Sequence, residues 1–165
     1  MTGRKLAVWL LLPYVVWLTF FYRYHFIDGV NLALHETGHL FFSFGGETLH
    51  FLGGTLGQLA FPVAFIVHFR RQQKYFESAI CTLWLAESLM YTAEYLGDAK
   101  AMQLPLVGGG THDWNWLLSR WGLLDNCVGL AQSLHLIAVA VLVVAWYKAL
   151  QLQYATSPTS RRKAL

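Results

Sequence analysis

Charged residues make up only 13% of the 165 positions, too few to cover the surface of a water-soluble domain of this size. Cysteine is scarce as well: Cys81 and Cys127 lie in separate apolar segments, outside any CxxC spacing. They read as buried free thiols that point to no redox compartment. The chain has no internal repeat and no low-complexity block. After its first apolar run the sequence continues Tyr22-Arg23-Tyr24-His25-Phe26, with no small-residue cleavage site, so that run reads as a membrane anchor and not a secretory signal. Basic residues never form a long stripe. Arg4-Lys5, Arg70-Arg71-Lys74 and Arg161-Arg162-Lys163 sit where apolar segments end, which makes them topology signals and argues against nucleic acid as a partner.

What the chain has in quantity is apolar side chains, 56% of the total, with aromatics at 16%. Four stretches approach the roughly 20 apolar residues that a spanning helix needs: Leu6 to Tyr22, Phe51 to Phe69, Tyr75 to Leu96 and Asn126 to Tyr147. A fifth runs from Ile27 to Phe44. Most tryptophans fall near the ends of these stretches, as an interfacial belt requires. The expected architecture is an all-α, polytopic integral membrane helix bundle with four to five transmembrane helices. Residues 1–155 form one membrane domain and 156–165 a disordered tail. Five full crossings would separate the basic clusters, whereas a re-entrant path through residues 27 to 69 puts all three, and both termini, on the cytoplasmic side. The glycine pairs Gly45-Gly46 and Gly53-Gly54 bracket "ETLHFL", which reads as a turn or small hairpin. Thr111 or Asp113 is placed to cap a short amphipathic helix carrying Trp114, Leu117, Leu118 and Trp121.

Within the fifth stretch, His35-Glu36-Thr37-Gly38-His39 is an HExxH sequence. Positions four apart share a helix face, so two imidazoles can bind one metal ion with the glutamate beside them. Zinc accepts imidazole nitrogen and carboxylate oxygen and leaves a fourth position open in catalytic sites, with Glu36 as general base. Three ionisable groups within five positions of an apolar segment are costly unless something binds them. A hydrogen-bonded polar helix interface is the alternative. A third protein ligand is also needed, and the candidates are His112, Asp113, Asp98, Asp125 and His50. The block "LPLVGGGTHDW" stands out, because Pro105 stops the preceding structure and glycines let the loop approach a helix closely. Glu87, Glu94 and Asp98 lie along one face of the segment beginning at Tyr75. They are placed to accept the free ring N–H groups of metal-bound histidines, or else Glu94 and Asp98 simply lie near the interface.

"HETGHLFFSFGGETLHFLGG" resembles the zinc-binding segment of site-2-protease-like intramembrane metalloproteases, the M50 family, and especially its compact M50B-like branch. The resemblance implies that His35 and His39 are zinc ligands and that Glu36 is the catalytic base. It maps the family's second motif onto "LPLVGGGTHDW", which makes Asp113 the third ligand. Met102 and Gln103 precede Pro105 where the family carries asparagine, and Trp114 follows Asp113 where it carries glycine, so His112 stays a candidate in place of Asp113 or beside it. The chain holds no room for a soluble substrate-selecting domain. The function expected is a minimal intramembrane zinc hydrolase cleaving a transmembrane peptide among membrane lipid. The alternative is a non-catalytic zinc-binding subunit of a larger membrane complex, whose site four protein ligands would close.

Overall fold

The computed structural model describes residues 3–107 and 110–154. The expected disordered tail, and Gly108 and Gly109 of the glycine loop, lie outside the described residues. Among those described there is no strand. Six α-helices follow in order: α1 (Gly3–Phe21), α2 (Phe26–Phe42), α3 (Glu47–Arg71), α4 (Tyr75–Gly97), α5 (Asp113–Trp121) and α6 (Cys127–Leu152), with single 3-10 turns at Ser43–Gly45 and Leu124–Asn126. Each long apolar stretch is therefore a helix within a few residues of its expected limits.

Among the described residues, three stretches are long and apolar enough to cross a membrane: α1, α3 and Leu124–Leu152, which contains α6. The four to five expected from sequence also counted α2 and α4. With 17 residues, α2 is only about 25 Å long, short of a hydrocarbon core of about 30 Å. Glu77, Glu87 and Glu94 reduce the hydropathy of α4.

The chain divides into two compact units. The first comprises residues 3–23, 62–87 and 139–154. Its core joins Val8, Phe76, Ala79 and Ala149, with Trp146 and Leu150 packed against them. The Arg4 guanidinium meets Glu77 Oε1 at 2.7 Å and lies 5.1 Å from the centroid of the Phe76 ring. Both partners are partly exposed, so the pair contributes only about 0–1 kcal/mol. Along α1 only Val8, Val15 and Leu18 are buried, while Leu10 is 69% and Phe20 71% exposed. In water such surface costs about 25 cal/mol per Å²; in hydrocarbon it costs nothing.

The second unit comprises residues 24–61 and 88–138. In α2 the usual amphipathic order is reversed. Asp28, Asn31, His35 and Gly38 form its buried stripe, while Phe26, Leu40 and Phe41 face outward. Asp28 fastens the start of the helix by accepting the His25 backbone N–H at 2.7 Å, the reach-back of a third-position carboxylate in a capping box.

"ETLHFL" is neither turn nor hairpin but the start of α3. The chain reverses earlier, through the 3-10 turn and Gly46, whose φ of 81° favours glycine. Gly53 and Gly54 serve another purpose. A Cβ on Gly38 would collide with the Gly53 carbonyl, and a Cβ on Gly57 would come within 2.5 Å of Gly38 Cα. Glycines thus let the backbones of α2 and α3 touch where the two helices cross, a contact that larger residues would prevent.

After α4, Asp98 organises the connection to α5. Its carboxylate accepts the backbone N–H groups of Gln103 and Leu104, both at 2.9 Å. The residue capping α5 is His112, not Thr111 or Asp113: its Nδ1 accepts the Asn115 N–H at 3.3 Å. Leu117 and Leu118 are buried as expected, but Trp121 is exposed. Ala99, Leu118 and Cys127 form the local core, with Trp114 and Leu124 against it. Both cysteines are free, Cys127 fully buried and Cys81 partly so.

Candidate metal centre

One helical turn apart on α2, the rings of His35 and His39 stand edge to face, centroids 4.8 Å apart. Asp113, the first residue of α5, meets both. Its Oδ2 is 2.7 Å from His35 Nε2 and 3.1 Å from His39 Nε2. His35 and Asp113 are buried and His39 partly so. One ligand atom from each residue lies within 4.8 Å of the other two, and the three could hold a metal ion.

The surrounding hydrogen bonds fix the protons on both rings. His39 Nδ1 lies 2.8 Å from the His50 backbone carbonyl. A carbonyl only accepts, so Nδ1 carries the hydrogen. His35 Nδ1 lies 3.3 Å from Gln58 Oε1. The orientation of that amide follows from its other contacts: Gln58 Nε2 donates to the Ser88 carbonyl at 2.9 Å and to Thr92 Oγ1 at 2.9 Å, which leaves the oxygen facing His35. In their neutral forms both imidazoles therefore turn the Nε2 lone pair toward the Asp113 carboxylate. Three lone pairs converge, an arrangement that repels itself unless a cation lies among them or the rings take up second protons. Burial alone would raise the Asp113 carboxyl above the usual carboxylate range, but when the rings carry their second protons the hydrogen bonds and charges of His35 and His39 outweigh it and hold the pKa below that range.

Gly54 of α3 completes the fit, because a Cβ there would overlap the Nε2, Cε1 and Cδ2 atoms of His35. The acceptors of the ring N–H groups are thus Gln58 and a backbone carbonyl. The acidic residues Glu87, Glu94 and Asp98, expected in that role, do not supply them. Glu94 lines the neighbouring cavity, Asp98 caps its loop, and Glu87, buried on α4, belongs to the first unit. Metal-bound imidazoles depend on such acceptors for orientation. Gln58→Met, which keeps the side-chain length and removes the acceptor, is expected to weaken metal binding by about 10–100-fold, read by competition with a chromogenic chelator.

The other candidates lie elsewhere. His112 is fully buried, its Nε2 3.5 Å from Asp98 Oδ2, and its ring stacks on Tyr95 at 4.2 Å between centroids. Burial pushes its pKa down against the opposing pull of Asp98 and Asp113, so it is a neutral cap outside the three-residue group. Asp125 is exposed and pairs with Lys100 at 2.7 Å. His50 contributes through its backbone carbonyl, and its ring lies 5.1 Å from that of His39.

A cavity of about 660 Å³ opens beside the group. His35, His39 and Asp113 form part of its wall, and Glu36 lines it as an exposed side chain. The rest of the lining is mostly aromatic and aliphatic, including Tyr24, Leu32, Phe51, Tyr91, Tyr95 and Leu104 to Val107. Sequence reasoning passed over Gln58 and Tyr95. It also missed Asp28 and Asn31, whose signal was present: with His35 and Gly38 they repeat at helical spacing along the polar stripe of α2. Compared with known proteins, the chain matches no family model, no curated protein and no solved structure.

Proposed function

We propose that this protein is an intramembrane zinc hydrolase of the site-2-protease kind, a peptidase that cleaves a peptide bond inside a membrane-embedded segment. The observation that carries the reading is the convergence of His35, His39 and Asp113 at the wall of a largely apolar cavity that Glu36 also lines. Two imidazole nitrogens and one carboxylate oxygen make a donor set suited to zinc, and three protein ligands leave the fourth position to substrate and water. Zinc supplies a Lewis acid for the scissile carbonyl and an acidified water. Glu36 accepts the proton of the attacking water as its oxygen bonds to the carbonyl carbon, then delivers it to the amide nitrogen as the C–N bond breaks. Phe51, Leu32 and Leu104 to Val107 offer an apolar peptide a surface that excludes bulk water.

The non-catalytic alternative is favoured by a fourth protein donor, and the residue best placed in sequence to supply one, His112, has its Nδ1 engaged by the Asn115 N–H and its Nε2 3.5 Å from Asp98 Oδ2, outside the three-residue group. Membrane integration is supported by three helices of spanning length and composition. With α4 as a fourth crossing and α2 not crossing, the basic clusters and both termini lie on the cytoplasmic side, as the positive-inside rule favours.

The test is elemental analysis of the purified protein together with cleavage of a transmembrane peptide in proteoliposomes. Zinc near one equivalent, with cleavage abolished by o-phenanthroline and restored by added zinc, is the expected result. Stoichiometric zinc with no cleavage of any membrane peptide would favour the subunit reading instead.

A further inference from the structure

Tyr95 joins the candidate centre by a contact that leaves half of its chemistry unused. Its hydroxyl oxygen accepts the Asp113 backbone N–H at 3.1 Å, which places that oxygen beside the peptide that begins α5. Two rings hold the phenol in position. His112 stacks on it at 4.2 Å with 21° between planes, and the His35 ring meets it at 5.7 Å and 80°. A phenol hydroxyl accepts and donates. The accepting role is taken by Asp113, while the proton has no acceptor among the described residues. Tyr95 lines the same cavity as Glu36, His35, His39 and Asp113.

Resting on the hydrolase reading above, we infer that Tyr95 is a catalytic residue: its O–H donates a hydrogen bond to the scissile carbonyl oxygen as that oxygen gains negative charge. The phenol keeps its proton throughout, so the step requires no transfer. A donor fixed in advance stabilises developing charge more than the neutral carbonyl. The His112 stack and the Asp113 N–H supply the fixing. This gives His112 a purpose that does not require it to touch the metal.

A zinc-loaded sample and a phosphinic pseudopeptide within a leucine-rich transmembrane sequence test the inference, since the tetrahedral phosphinate carries the anionic oxygen that the donor would meet. By titration calorimetry, Tyr95→Phe is expected to lose roughly 10²–10³-fold in phosphinate affinity. It should retain one equivalent of zinc and bind the corresponding uncut amide as tightly as a Tyr95 protein does, both amide measurements being made in a Glu36→Gln background. Unchanged phosphinate affinity would overturn the role of Tyr95 and leave the hydrolase reading intact. A fall of about 10–100-fold in zinc affinity, with the phosphinate contact unaffected once zinc is saturating, would mean that Tyr95 only positions Asp113, and would also overturn it. Failure of the wild-type protein to bind the phosphinate would overturn both readings. Should the phenylalanine variant not fold, 3-fluorotyrosine at position 95 preserves both contacts and sharpens the donor. Tighter phosphinate binding is then expected, and no change would count against the inference.

Discussion

Glu36→Gln is expected to reduce cleavage of a membrane-embedded peptide by about 10²–10⁴-fold, the usual contribution of a positioned general base, while zinc content and thermal stability stay at wild-type values. The two side chains are nearly isosteric and have similar helix propensity. Glu36 is exposed on α2 and makes no hydrogen bond or ion pair among the described residues, so its exchange should shift stability by no more than about 0.5 kcal/mol. What glutamine cannot do is accept the proton of the attacking water. The measurement is the single-turnover rate on zinc-loaded protein, with metal content read on the same sample. Loss of zinc together with activity would make Glu36 a ligand instead of a base. Retention of both would remove it from the chemistry.

Asp113→Ala acts on a different property. Both Nε2 atoms converge on Oδ2 of this residue, and its carboxylate is the negative charge that offsets a bound cation. Breaking a buried charged contact from one side costs about 3–5 kcal/mol, which corresponds to a loss of roughly 10²–10⁴-fold in zinc affinity. His112→Ala is the control, one residue away in sequence. Its ring is turned toward Asp98 and Asn115, so zinc should remain bound even if the start of α5 loosens. Equilibrium dialysis against buffered zinc separates the two variants. Metal lost from His112→Ala and kept by Asp113→Ala would reverse the assignment of the loop.

The residues proposed to carry the chemistry were easier to read than those that hold them in place. HETGH stands out because its groups are expensive in an apolar helix, and "THDW" stands out because glycines precede a carboxylate. Gln58 carries no such signal. A single amide in an apolar helix is affordable, and only the positions of Ser88 and Thr92 reveal that it orients His35. Glycine was ambiguous for a related reason. Gly45-Gly46 reverses the chain while Gly53-Gly54 lies inside a helix, yet both pairs look alike in sequence, since a missing Cβ serves a turn and a close helix contact equally well. The span count suffered from the opposite problem. The carboxylates of α4 lower its hydropathy whether they face lipid or protein, and burial of Glu87 is a tertiary fact.

The distance along the chain between the two halves of the centre also sets an order of events in synthesis. His35 and Asp113 are separated by 78 positions. At about 5–20 residues per second, the translation rate of a ribosome, the histidine pair leaves the ribosome roughly 4–16 s before the aspartate that completes it. During that interval α2 and α3 can close on their glycine seam, but a metal ion would find only two of the three donors. A metal ion held by this group would therefore be taken up late in synthesis, since a nascent chain released before α5 emerges carries only the two histidine donors.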